Sequence, residues 1–135
     1  MNFITKSLKI QKENGTVCNY KVSFEELYGT SISLLLDDGT EKKFNDCDLF
    51  ESLKLINTYF ENELSKLLCN GARVDVCSSG MSRSMGNGRK VYITVLGKQA
   101  RRNDLVDIFD FAKPNEVGTV QEQENYHKKW ISSLG

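Results

Sequence analysis

Asn14-Gly15 stands between two runs that alternate apolar and polar residues, Ile4, Lys6, Leu8, Ile10 before it and Cys18, Tyr20, Val22, Phe24 after it. Such a dipeptide accepts positive φ at both turn positions, so the spacing predicts two antiparallel strands joined by a tight type I′ turn. Asp38-Gly39 repeats the device between Ile32, Leu34, Leu36 and the strand-like segment 40–44. Two such hairpins in succession make a four-stranded meander with one apolar face, which requires a second layer to cover it.

The covering layer follows in sequence. From residue 46 the apolar residues Leu49, Phe50, Leu53, Ile56, Phe60, Leu64, Leu67 and Leu68 recur every three or four positions, one broad stripe on a helix. Asn45 or Asp46 is the expected cap, and Asn70-Gly71 the expected left-handed stop. Three further strands are predicted: 72–77 with Val74 and Val76 inward, 90–96 with Val91, Ile93 and Val95 inward, and 105–111. Residues 97–103 read as an ordinary turn. The last element starts at Thr119-Val120-Gln121-Glu122, a capping box, and its Tyr126, Trp130, Ile131 and Leu134 fall on one face able to dock it. No repeat or composition break divides residues 1–135. The expected fold is a single α+β domain, an antiparallel sheet of about six to seven strands covered by one long helix, plus a C-terminal helix.

A chain with 39% hydrophobic residues and no apolar run near ~18 residues has the composition of a globular domain without a helical membrane span. Its first residues show no basic segment leading into an apolar core, so no secretory signal is expected, and a cytoplasmic setting with reduced thiols follows. Cys18, Cys47, Cys69 and Cys77 include no C-x-x-C pair and have no histidine nearby, which removes the usual spacing of a zinc site. No metal and no cofactor is therefore expected.

Charge is balanced overall but not along the chain. Residues 1–70 carry a net −3, whereas residues 71–102 carry a net +6 from Arg73, Arg83, Arg89, Lys90, Lys98, Arg101 and Arg102 against Asp75 alone. Every arginine lies in this stretch. It contains the polar segment 78–89, long for a hairpin loop, with Gly80, Gly86 and Gly88 among its serines. Glycine N–H groups and arginines could bind an anion there, but G-x-x-x-x-G-K-[ST] is absent and a strand follows rather than a helix, against a nucleotide P-loop. Met81 and Met85 are adaptable apolar anchors for an interface, or alternatively fold back on the core. The partner-binding residues expected from this segment are Ser79, Met81, Arg83, Met85, Arg89, Lys90, Tyr92, Arg101 and Arg102.

Catalysis is weakly supported. G-x-S-x-G is missing, and the sole histidine, His127, falls beside the docking face of the last helix, where a structural or surface role is the simpler expectation. Asp104, Asp107 and Asp110 would divide between two faces of a strand and do not converge. Arg73 and Asp75 would share the outward face of theirs, where a cross-strand ion pair with 105–111 is the simplest use of these charges. An enzyme using Arg73, Asp75 and the 78–89 loop ranks third among the readings.

In size, α+β layout and want of catalytic groups, the chain resembles the small immunity proteins that neutralise contact-dependent or polymorphic bacterial toxins. The resemblance implies a non-enzymatic, stoichiometric inhibitor that covers a cognate toxin's active site in the cytosol. Immunity proteins against nuclease toxins are often acidic and this chain is neutral, so its acidic first half would face a basic toxin. The alternative is an RNA- or phosphate-binding accessory domain using the basic 73–102 segment, with Tyr92 as a stacking surface.

Overall fold

The structure, a computed structural model, describes residues 2–78 and 86–135. Strands β1 (Phe3–Gln11), β2 (Val17–Glu25), β3 (Ser31–Leu35) and β4 (Glu41–Asn45) form the antiparallel meander expected from the two turn dipeptides. Register places Leu8 opposite Tyr20, Val22 opposite Leu34 and Ile32 opposite Phe44, and the buried side chains of all four strands face the same way. Both turns differ from the type I′ expectation. Only the glycine of each dipeptide has positive φ, +89° at Gly15 and +87° at Gly39. Each loop is three residues closed by a left-handed glycine bulge. The residue before each glycine stabilises the loop with its side chain: Asn14 Oδ1 accepts from Thr16 N–H at 3.0 Å, and Asp38 Oδ1 from Thr40 N–H at 2.9 Å.

The covering helix α1 (Leu49–Glu61) buries Leu49, Phe50, Leu53, Ile56 and Phe60 against the sheet. Its cap is Asp48, whose Oδ1 accepts from Glu51 N–H at 2.8 Å, rather than Asn45 or Asp46. The helix also ends sooner than its apolar period suggests. Leu64 adopts φ +57° and is exposed, and the chain reverses so that β5 (Lys66–Leu67) pairs with Ile10 and Gln11 on the open edge of β1. Leu67 and Leu68 are thus buried by edge pairing instead of by a longer helix, and the sheet has five strands in the order β4-β3-β2-β1-β5.

Residues beyond β5 form a second layer, not an extension of the first sheet. Gly71, expected as a helix stop, sits in a 3₁₀ turn (Asn70–Ala72) pressed on Leu53 and Ile108, where a side chain would collide with the helix. The short strands β6 (Val76–Cys77), β7 (Lys90–Ile93) and β8 (Leu105–Asp107) make a separate antiparallel sheet in the order β6-β7-β8. Their ends are trimmed because neighbouring backbone is bonded elsewhere: Ile108 and Asp110 carbonyls accept from Gly71 and Asn70 N–H groups of the 3₁₀ turn. The expected single sheet of six to seven strands is therefore corrected to sheets of five and three. Val76 and Val91 are buried as expected, Val74 and Ile93 only partly, and Val95 is exposed.

The final helix, α2 (Val120–Ser133), begins at the expected capping box, Thr119 Oγ1 accepting from Glu122 N–H and Glu122 Oε1 from Thr119 N–H. Its docking face differs from the expected one. Gln123 is buried, Tyr126, His127 and Trp130 are half-buried, and Ile131 and Leu134 face solvent at 54% and 39% exposure. Polar anchors replace the missing apolar ones. Gln123 Nε2 donates to the carbonyls of Gly71 at 3.0 Å and Arg73 at 2.8 Å, and Asn57 of α1 donates to Gly118 at 3.1 Å. No helix among the described residues is long and apolar enough to cross a membrane.

Candidate functional site

The basic segment does not form one patch, because two of its arginines serve the fold. Arg73 grips Asp75 through both ends of its guanidinium, Nε to Oδ1 at 2.8 Å and Nη2 to Oδ2 at 2.9 Å, and reaches Glu116 with Nη1 at 2.9 Å. This fork raises the Arg73 pKa, chiefly through its hydrogen bond to Asp75, and fastens β6's lead-in to the segment ahead of α2. The expected ion pair with 105–111 is thus replaced by Asp75 and Glu116. Glu116 is in turn held below the usual carboxylate range, first by the Lys113 N–H and then by Arg73.

Arg89 is committed in the same manner. Its Nε donates to Asp107 Oδ2 at 3.0 Å while its guanidinium carbon lies 5.4 Å from the centre of the Phe24 ring, itself stacked on Phe109. Asp107 is buried and also accepts from Phe109 N–H at 2.9 Å. The other two aspartates of the series have separate fates. Asp104 accepts from Arg101 N–H at 2.8 Å, and Asp110 is exposed. Among the described residues no group of three or more His, Cys, Asp or Glu is placed to hold a metal. None of the four cysteines is in a disulfide; Cys69 is buried, Cys18 and Cys77 partly so, and Cys47 is exposed.

Of the expected partner-binding residues, Ser79, Met81, Arg83 and Met85 lie outside the described residues. Lys90 is exposed beside Asp107 in the register, and Tyr92 is half-buried opposite Leu105. Arg101 and Arg102 lie at the other end of β7, roughly 10 Å away along the strand. Both are exposed and neither has an ion-pair partner among the described residues.

At that end the structure assembles a surface that the sequence reading missed. The turn after β7 is tied to α2 by Gly97 N–H donating to Ser133 Oγ at 2.8 Å and by Trp130 Nε1 donating to the Lys98 carbonyl at 2.9 Å. Around this junction Val95, Leu96, Ile131 and Leu134 are exposed, flanked by Lys98, Arg101 and Arg102. Four exposed apolar side chains thus lie near three cations that have no ion-pair partner among the described residues, on segments joined by these two hydrogen bonds. The signal in the sequence was Val95-Leu96 running straight into Gly97-Lys98, where the structure makes a tight turn with Val95 bridged to Lys98. No protein-family model matches the chain, and comparison with curated proteins finds none detectably similar to it.

Proposed function

We propose that the chain is a non-enzymatic protein-binding module, an immunity-type inhibitor that neutralises a cognate bacterial toxin in the cytosol by direct binding. The observation that carries this reading is the junction of the β7 turn with α2, where Val95, Leu96, Ile131 and Leu134 lie exposed beside Lys98, Arg101 and Arg102. Apolar anchors supply affinity once dewetted, and unpaired cations steer a partner whose surface is acidic around an apolar centre. Arg73 and Arg89 take no part, since their guanidinium groups are engaged by carboxylates of the same chain.

Calorimetry with the toxin-like product of a neighbouring reading frame tests the proposal. Stoichiometric binding is expected, weakened about a hundredfold by the combined substitution Lys98→Glu, Arg101→Glu and Arg102→Glu. Absence of binding, or binding indifferent to the triple reversal, refutes it. Tight binding of labelled RNA with a steep loss of affinity between about 50 and 200 mM salt would replace it with the nucleic-acid reading.

A further inference from the structure

A cavity of about 230 Å³ opens between α1, β6 and α2, away from the junction described above, with Phe50 and Val76 as apolar walls. Two polar side chains one helical turn apart on α2, Gln123 and His127, also line it. Gln123 is 4% exposed, and its Nε2 donates to the Gly71 and Arg73 carbonyls, which fixes the orientation of the amide. Its Oε1 is buried and has no hydrogen-bond partner, and neither has the buried Nδ1 of His127. A buried acceptor of this kind is ordinarily paired, so the Gln123 oxygen calls for a hydrogen-bond donor.

The surroundings narrow that group further. Lys54, Lys128 and Glu124 also line the cavity, Lys54 already paired with Glu51 at 3.0 Å and lying 4.6 Å from the centre of the Phe50 ring. With ammonium groups and the Glu124 carboxylate both present, the lining selects neither sign of charge, and an anion would in addition set its charge against the bare Gln123 oxygen. A neutral group offering N–H and C=O side by side satisfies Gln123 as donor and His127 in either tautomer, while a flat apolar body fits against Phe50 and Val76. We propose that this cavity binds a small neutral molecule through a primary carboxamide.

Benzamide is the probe, with benzoate and benzamidine as controls of the same shape and different charge. In NMR titrations of the full chain, benzamide should give saturable shifts at Phe50, Val76, Gln123 and His127 with a Kd in the millimolar range, the strength reasonable for so few atoms. The two controls should bind at least about tenfold more weakly. His127→Phe preserves the ring and should weaken benzamide about fivefold to tenfold; Gln123→Met should abolish binding. Since Gln123 also anchors α2, the histidine variant decides the matter if the glutamine variant fails to fold. Absence of saturable shifts with benzamide means the cavity holds only water and overturns the proposal, as do equal binding of benzoate and unchanged affinity in His127→Phe.

Discussion

Replacing Arg89 by alanine separates a structural cation from a surface one. The side chain of Arg89 is 24% exposed and that of Asp107 only 10%, so the substitution leaves a carboxylate in the interior with the Phe109 N–H as its remaining partner. Breaking a fully buried pair costs about 3–5 kcal/mol; partial exposure and the surviving hydrogen bond bring this to about 2 kcal/mol. Loss of the guanidinium over Phe24 adds about 0.5–1 kcal/mol. The total of about 2–3 kcal/mol is a large share of a typical domain's stability. With a urea slope near 1.5 kcal/mol per molar, the unfolding midpoint should fall by roughly 1.5–2 M, and Tm by roughly 10 °C. Arg101→Ala with Arg102→Ala, twice the loss of charge but on exposed residues without an ion pair among the described residues, should move the midpoint by less than about 0.5 M. The reasoning fails if Arg89→Ala destabilises no more than this double variant does. A cycle with Asp107→Asn then locates the coupling, since each single change should cost more than the second change made in the presence of the first.

Two further outcomes follow from the same geometry. Because Glu116 is held below its ordinary value of 4.5, it favours folding above that pH, and the contribution is lost as pH falls through the lower folded-state value; acid unfolding of Glu116→Gln should show a shallower dependence in that window. Cys47 is exposed while burial pushes the fully buried Cys69 thiol up to about 12, so a thiol reagent at neutral pH should label Cys47 in the folded protein and reach Cys69 only on unfolding. Labelling of Cys69 at the rate of Cys47 would contradict that placement.

How much of this was legible depended on how local the deciding contact is. The α2 capping box joins residues three apart, Thr119 and Glu122, and both its position and its bonds were readable. The hairpins were readable as hairpins, but the turn type was not, since Asn-Gly and Asp-Gly suit both a type I′ pair and a single glycine bulge. The cap of α1 was expected at Asn45 or Asp46, and tertiary bonding moved it: Ser52 Oγ takes the Asp46 N–H and itself donates to the Thr30 carbonyl, leaving Asp48 at the helix start. Leu64, Leu67 and Leu68 kept a perfect helical period, yet the open edge of β1 claimed the last two. Arg73 and Glu116 are 43 positions apart and Arg89 and Asp107 18 apart, so no spacing rule shows that these arginines are occupied.

That occupancy changes what the charge layout means for function. Seven cations against one acid along residues 71–102 resemble an extended track for a phosphate backbone. With Arg73 and Arg89 neutralised within the fold, the cations at the β7 turn without an ion pair among the described residues are Lys98, Arg101 and Arg102. Phosphate contacts from these three alone would give a salt dependence of about third order or less, below that of a site making six to ten contacts. Beside four exposed apolar side chains, three cations suit the proposed protein partner: they would orient an acidic surface while Val95, Leu96, Ile131 and Leu134 would provide contact area that a phosphate backbone does not reward. Tyr92 is half-buried in its sheet opposite Leu105. Two of the five arginines on which an RNA reading would draw, Arg73 and Arg89, thus spend their charge on the chain's own carboxylates.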